Sequence, residues 1–133
     1  MDTGGAAIIK VGNLTSITDA KGQTTDFVYD DLGRVIETVD PIIESPTDKT
    51  VTFTYDEAGN VLTRTDRLGR ETQYTHDALN RLRLTEFLTD GTSETYAYDD
   101  YNDPVEVANA AVTYTYVYDN RHRMTSKTDS RLN

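Results

Sequence analysis

Five aspartates recur along the chain at similar intervals, and carboxylates are groups that enzymes pair as general acid and general base. They are Asp30, Asp56, Asp77, Asp99 and Asp119. Each precedes by three positions a residue that tolerates a left-handed backbone, namely Gly33, Gly59, Asn80, Asn102 or His122. An aspartate followed in this way is typical of a type I turn that closes into a bulge. The spacing therefore predicts carboxylates that cap turns by accepting backbone N–H groups, and it favours this role over catalysis.

The remaining side chains that could bind a metal or act in catalysis are few. His76 and His122 are the only histidines, and each stands where the sibling segments carry Tyr, Gly or Asn, so we interpret both as substitutions in structural positions. The doublets Asp30-Asp31 and Asp99-Asp100 carry ligands that Ca²⁺ prefers, but the spacing of an EF-hand loop is missing. The chain has no cysteine, no phosphate-binding loop and no nucleophile elbow. We expect no catalytic residue, no metal site, no cofactor and no enzymatic activity.

A tyrosine stands directly before four of the five aspartates, and these tyrosines leave two interpretations open. Rings repeated on one face of a sheet could form a platform on which a sugar or a protein partner stacks. Cross-strand aromatic packing is the alternative, and we favour it, at about 0.2–1 kcal/mol for each pair. The tyrosines concerned are Tyr29, Tyr55, Tyr98 and Tyr118.

Composition narrows the classes of partner. The 133 residues suffice for one domain with a modest core, and the hydrophobic share of 36% predicts that this core is shallow. The formal charge of −10 argues against nucleic acids and anionic membrane surfaces, both of which are bound through clustered Lys and Arg. No segment approaches the 18 or so consecutive apolar residues that span a bilayer, so we predict no membrane insertion.

The aspartates belong to a repeat of five segments, and the repeat determines the predicted fold. Before each aspartate, aromatic residues alternate with small or β-branched ones, which is the period of a β-strand. Further turn residues, such as Asp19 with Gly22 and Asp66 with Gly69, mark turns at the opposite ends of the strands. The pattern predicts an all-β chain of consecutive antiparallel hairpins with about eleven short strands, at 13–18, 24–29, 34–39, 50–55, 60–65, 71–76, 81–87, 94–98, 105–109, 112–118 and 123–128.

Three places depart from the rhythm. We expect a ragged start at 1–11, so that the single repeat domain of 1–133 carries its five hairpins between about 12 and 129. The prolines of 41–48 predict a surface loop outside the strand ladder. Pro104 stands where the other segments begin a return strand, so we expect that strand to be shortened or slipped by one residue.

The hairpin pattern resembles the YD repeats of the RHS family. The best match is Thr54-Tyr55-Asp56-Glu57-Ala58-Gly59-Asn60-Val61-Leu62, followed by Thr65-Asp66-Arg67-Leu68-Gly69-Arg70. The resemblance covers nearly the whole chain, from about Gly12 to Asp129. It implies hairpins that join edge to edge into one long, curved sheet, which spirals into a hollow shell.

The resemblance also implies a function and a location. Bacterial members, including the toxin-complex C components, use the shell to enclose a C-terminal toxin domain, and the teneurins resemble them. Such proteins are exported or displayed on cell surfaces, and some repeats have been linked to carbohydrate binding. The self-cleavage motif Asp-Pro-x-Gly-Leu of bacterial members is not matched here, because Asp40-Pro41 and Asp103-Pro104 continue differently. We therefore interpret the chain as an excised piece of a shell.

Two arrangements of the sheet remain open at this point. Unpaired outer strands near 13–18 and 123–128 predict edge-to-edge self-association. Alternatively, the sheet curls into a partly closed barrel and packs its aromatic face on itself.

Overall fold

In a computed structural model, which describes residues 12–41 and 50–132, eleven β-strands form one curved antiparallel sheet. The order of the strands across the sheet is their order along the chain. The all-β prediction is confirmed, and the predicted strand ends lie within three residues of the observed ones. The strands are β1 (Ser16–Thr18), β2 (Thr24–Tyr29), β3 (Val35–Val39), β4 (Thr50–Tyr55), β5 (Val61–Thr65), β6 (Glu71–His76), β7 (Leu82–Phe87), β8 (Thr92–Tyr98), β9 (Pro104–Asn109), β10 (Thr113–Tyr118) and β11 (Met124–Asp129).

The two faces of the sheet differ as the period-two alternation requires. In β4, Val51, Phe53 and Tyr55 are buried or half-buried, whereas Thr52 and Thr54 between them are exposed. The same alternation recurs in β8 and β10, where the tyrosines are the less exposed residues. One face of the sheet is therefore aromatic, and the other is mostly threonine and other small or polar residues.

The predicted shallow core is confirmed. Among the described residues, Val51, Val112 and Thr85 alone are buried, and the strands form a single sheet with no second layer packed on it. The sheet does not close within the described ranges, since β1 pairs only with β2 and β11 only with β10. The alternative of a partly closed barrel is therefore wrong for this part of the chain.

The turns lie in two rows because successive turns of an antiparallel meander fall at opposite ends of the strands. The five Tyr-Asp turns, here called YD turns, all lie on the same side of the sheet, along the row formed by the ends of the strands. We call this row of strand ends the YD edge. They connect β2 with β3, β4 with β5, β6 with β7, β8 with β9, and β10 with β11. Consecutive YD turns are two strands apart, which corresponds to about 9.5 Å and lies within reach of a long side chain.

The expectation for Pro104 is wrong. Strand β9 begins at Pro104, has six residues and keeps the register of the other return strands, with Tyr98 opposite Pro104. The pairing of β9 with β10 covers only Glu106, Val107 and Ala108, so no ladder hydrogen bond needs a donor at residue 104. The first residue of a strand is a position that accepts proline for this reason.

Two other expectations lie outside the described residues. These are the ragged start at 1–11 and all but the first residue of the proline-containing loop at 41–48. Among the described residues, no helix is long and apolar enough to cross a membrane.

Candidate functional site

The carboxylate of each YD turn binds the backbone of its own turn, as the first turn illustrates. Asp30 Oδ1 accepts hydrogen bonds from the backbone N–H groups of Leu32 at 3.0 Å and Arg34 at 2.9 Å. The Gly33 N–H donates to the Asp30 carbonyl, and the φ of Gly33 is +80°. Asp30 Oδ2 accepts a hydrogen bond from Arg34 Nε at 2.7 Å. Both carboxylate oxygens are therefore occupied within the turn.

The other four YD turns have the same backbone. The residue three positions after the aspartate has a positive φ in every one, at Gly59 (90°), Asn80 (62°), Asn102 (71°) and His122 (59°). In every one, the backbone N–H of the fourth residue after the aspartate donates a hydrogen bond to the aspartate Oδ1. All ten residues that the sequence predicted for these turns therefore lie in the turns.

These hydrogen bonds lower the pKa of several of the turn aspartates and so favour their ionised form. Backbone N–H groups and the neighbouring Arg side chain lower the pKa of Asp30 and Asp77 below the ordinary value. The Arg123 side chain, followed by backbone N–H groups, lowers the pKa of Asp119 in the same way. In the opposite row of turns, a hydrogen bond from the Arg70 guanidinium lowers the pKa of Asp66 to about 2. Carboxylates held in this way are poor proton donors near neutral pH, so the arrangement does not provide a general acid.

Each YD tyrosine connects its hairpin to the structure before it. The Tyr55 hydroxyl donates a hydrogen bond to the carbonyl oxygen of Val35, which is the first residue of the preceding return strand. The same bond joins Tyr98 to Leu82 at 2.8 Å and Tyr118 to Pro104 at 2.9 Å. Tyr29 donates in the same way to Leu14 at 2.7 Å. The hydroxyls therefore lie against backbone acceptors along the sheet.

In the first four YD turns, the residue four positions after the aspartate makes contact in the other direction, with the next YD turn. Arg34 Nη1 donates to the Asp56 carbonyl at 3.1 Å, and its guanidinium lies 4.6 Å from the centre of the Tyr55 ring. Arg81 repeats this arrangement with the Asp99 carbonyl at 3.2 Å and with the Tyr98 ring at 4.8 Å. We call these two sets of contacts together the YD ladder. In its backward step a YD tyrosine contacts the preceding hairpin, and in its forward step the residue four positions after the aspartate contacts the next one.

Two steps of the ladder use other chemistry in the forward direction. Asn60 Nδ2 donates to Asn80 Oδ1 at 2.9 Å, and Asp103 Oδ2 lies 2.7 Å from His122 Nδ1. In the contact between Asp103 and His122 the charge is reversed, since an acid stands where the other turns carry Arg or Asn. All four neighbouring pairs of YD turns are therefore joined by side chains.

Sequence reasoning identified the turn residues but missed the ladder. Arg34 and Arg81 each form an ion pair with the aspartate of their own turn, and each guanidinium also reaches the next hairpin. A signal was available, because Arg or Asn recurs four positions after four of the five aspartates. The four tyrosines proposed as a ligand platform have their hydroxyls bonded to the backbone, and guanidinium groups cover two of the rings.

His76 is the one exception among the YD tyrosine positions. It occupies the position of Tyr55 or Tyr98 in its own hairpin, opposite Leu82 across the same bulge. Its Nδ1 is buried and has no hydrogen-bond partner within the described ranges. An imidazole is shorter than a phenol, so the backward step from the third hairpin to the second is missing.

Neither the histidines nor the acidic doublets form a metal site in the described part of the chain. No group of three or more His, Asp or Glu side chains there is placed to hold a metal ion. His122 pairs with Asp103 and packs edge-on against Tyr101, with ring centres 5.0 Å apart.

Comparison with known proteins identifies a family and a fold. The model of the RHS repeat matches residues 10–41 and 55–92, which together make up more than half of the chain. No curated protein matches the sequence.

Solved structures share the fold at low sequence identity. The Tc holotoxin pore of Photorhabdus luminescens is 22% identical with a TM-score of 0.71, and the match covers 86% of this chain and 6% of that one. The crystal structure of TcdB2-TccC3-TEV is 23% identical with a TM-score of 0.73, and covers 87% and 6%. That of TcdB2-TccC3-Cdc42 is 22% identical with a TM-score of 0.72, and covers 86% and 6%. The chain therefore spans about one-seventeenth of the length of these neighbours.

The first prediction concerns the backward step of the ladder. Tyr55→Phe removes the hydroxyl that donates to Val35 while keeping the ring, and should lower the free energy of unfolding by about 1 kcal/mol in urea titrations. Tyr101→Phe is the matched control, because Tyr101 is exposed and its hydroxyl makes no hydrogen bond with the described residues. Equal effects of the two variants would show that the hydroxyl bond contributes nothing specific.

The second prediction concerns the missing step. His76→Tyr should raise the free energy of unfolding by about 1 kcal/mol, because a phenol hydroxyl at this position can reach the Val61 carbonyl and no imidazole nitrogen is left unpaired. His76→Phe adds the ring without the hydroxyl, so the difference between the two variants measures the hydrogen bond. If His76→Tyr is no more stable than His76→Phe, the ladder does not extend through this position.

The third prediction is a dependence of stability on acid. Hydrogen bonds from Arg70 and Arg131 lower the pKa of Asp66 and of Asp129 from 3.8 to about 2. Since the folded state prefers the ionised carboxylates, their contribution is present above about pH 4 and is lost as the pH falls towards 2. The midpoint of thermal unfolding should therefore hold between pH 7 and pH 5 and fall between about pH 4 and pH 2.

A pair of variants checks the assignment. Asp66→Asn should flatten the acid-dependent part of the curve, whereas Asp31→Asn should leave its shape unchanged because the Asp31 side chain makes no hydrogen bond with the described residues. An identical acid dependence in wild type and Asp66→Asn would contradict the prediction.

Proposed function

We propose that this chain, which belongs to the RHS repeat family, is a non-enzymatic structural segment of a β-sheet shell that encloses or supports a toxin or another domain. The observation that carries the proposal is the YD ladder on a one-layer sheet. Within the described ranges, eleven strands repeat one hairpin, and the contacts that join them run along the sheet. Such a sheet forms a wall and not a globular core.

The small share of the neighbouring structures that the chain spans supports a role as one segment of a larger assembly. The neighbours named above are parts of a Tc holotoxin and of TcdB2-TccC3 assemblies, and the chain matches about 6% of each. On this proposal, the partners of the chain are the neighbouring repeats of the shell and the enclosed domain. Extracellular or cell-surface location follows from the same family resemblance.

The proposed absence of catalysis is supported by the state of the carboxylates. The YD aspartates are the most regular acidic groups in the chain, and each accepts hydrogen bonds from its own turn. The role of turn cap, which the aspartate has in all five hairpins, accounts for the regular spacing of these carboxylates. The alternative of an adhesion module that binds glycans or proteins through Tyr29, Tyr55, Tyr98 and Tyr118 has weaker support, because their hydroxyls already donate to backbone carbonyls.

The proposed function can be tested by protease protection in the longest natural protein that contains this chain. If the segment is part of an enclosing wall, the enclosed domain should resist protease in the wild type and be cleaved faster when the wall is loosened by Asp56→Ala and Asp77→Ala. These changes remove two turn caps, each worth about 1 kcal/mol. Glu57→Ala is the matched control in the same turn, since its exposed side chain makes no hydrogen bond with the described residues. Equal rates of cleavage of the enclosed domain in the wild type and in all variants would overturn the proposal.

A further inference from the structure

The central positions of the YD turns carry side chains that form no part of the YD ladder. In three of the five turns, the residue two positions after the aspartate is large and apolar, namely Leu32, Leu79 or Tyr101. These side chains are 72%, 66% and 72% exposed, and the series ends in the last turn, where Arg121 has this position. Because the five turns share one backbone, the side chains extend from the same row of strand ends. The YD edge therefore presents apolar groups to solvent in a series.

Carboxylates lie beside these apolar groups. Asp31, Glu57 and Asp100 directly follow the aspartates of the first, second and fourth turns, and their exposed side chains make no hydrogen bond with the described residues. Together the five turns contain nine acidic residues and four arginines, which gives −5 of the chain's formal charge of −10. Two of the arginines, Arg34 and Arg81, are already bonded to the aspartates of their own turns. The charge that the YD edge presents to solvent is therefore negative.

The spacing of the turns indicates the form of a partner that could use this surface. Apolar groups in a series beside charge of one sign are typical of a surface that binds a partner of opposite charge. Consecutive YD turns are about 9.5 Å apart, and seven residues of an α-helix advance by about 10.5 Å and return to nearly the same face. An extended segment covers that distance in about three residues, so its side chains would point alternately towards and away from successive turns.

We propose that the YD edge of the first four hairpins is a docking surface for a cationic amphipathic α-helix. The helix lies along the row of turns and places an apolar side chain, at every seventh residue, against the series formed by Leu32, Leu79 and Tyr101. Lys or Arg residues beside that apolar stripe face the exposed carboxylates of the turns. This surface goes beyond the proposed wall function and does not rest on it, because its contacts involve neither an enclosed domain nor another repeat.

A second copy of this chain does not have the required charge. Its own YD edge is acidic and would be repelled. The connections at its opposite edge contain six acidic and four basic residues, so that edge offers no excess of positive charge; they are residues 19–23, 40–49, 66–70, 88–91 and 110–112. The same negative charge repels nucleic acids and anionic membranes. Charge complementarity therefore selects a cationic polypeptide.

The test uses the full chain and a designed peptide as the probe. The peptide has about 28 residues, long enough for a helix in water, with Leu at every seventh position, Lys on both sides of that stripe and Ala elsewhere. A control peptide has the same composition, but its leucines are distributed around the helix. Fluorescence anisotropy should show that the designed peptide binds about tenfold more tightly than the control, and that binding weakens as the salt concentration rises.

Substitutions on the two edges of the sheet give the matched comparison. Leu79→Ser should weaken binding of the designed peptide about tenfold, because it removes an apolar contact that the helix buries. Leu68→Ser should not, since Leu68 stands two positions after Asp66 and is 75% exposed, but lies in a turn at the opposite edge. Asp100→Asn should weaken binding at low salt, whereas Asp26→Asn, which changes the net charge equally in the middle of β2, should have a smaller effect.

The contrary results are distinct. Equal affinity for the two peptides would show attraction by charge alone and would overturn the proposal, as would equal losses for Leu68→Ser and Leu79→Ser or the absence of binding at millimolar peptide. Growth of mass with concentration in light scattering, abolished by Leu79→Ser, would identify a second copy as the occupant and would also overturn it. None of these results depends on whether a domain is enclosed, so they are distinguishable from failure of the protease test.

Discussion

The structure depends on side-chain hydrogen bonds that run across the sheet, because it has almost no buried core. A sheet is ordinarily stabilised by burying one face against a second layer, and only three of the described residues are buried here. The hydroxyls of the YD tyrosines and the forward contacts of the first four turns instead join neighbouring hairpins, as Tyr55 joins Val35 and Arg34 joins Asp56. Individually such contacts contribute only about 1 kcal/mol, so they stabilise the sheet through their repetition from hairpin to hairpin.

This dependence explains which parts of the repeat are constant and which vary. All five connections at the YD edge have five residues, from the aspartate to the residue before the return strand. At the opposite edge the connections range from the three residues 110–112 to the ten residues 40–49. The ladder requires a fixed geometry at the YD edge, because Tyr and Arg must reach a particular carbonyl at the end of the adjacent strand, which belongs to the neighbouring hairpin. No comparable contacts join the described turns at the opposite edge into a continuous series, so length changes are tolerated there.

The sequence predicted what is local and missed what is distant. Asp56 with Gly59 specifies a turn within four residues, and Phe53 with Tyr55 specifies a face within three, so turns and strand ends followed from spacing alone. The hydroxyl of Tyr98 meets Leu82, sixteen residues away, and that contact depends on the register in which β7 pairs with β8. Pro104 was misjudged for the same reason: its effect depends on whether β10 pairs with it, which spacing within one segment does not reveal.

The exceptions within the repeat show that the forward step requires contact and not a particular charge. Arg81 reaches the next turn as a cation, Asn60 as a neutral amide and Asp103 as an anion, and each finds a partner suited to it: a carbonyl, an amide and the His122 imidazole. The backward step is chemically narrower, because its acceptor is always a backbone carbonyl and only a donor of sufficient length can reach it. Histidine at 76 fails this requirement and leaves Nδ1 unpaired within the described residues. A tyrosine therefore fits the backward step at every junction, while the residue four positions after the aspartate is free to distinguish one neighbour from another.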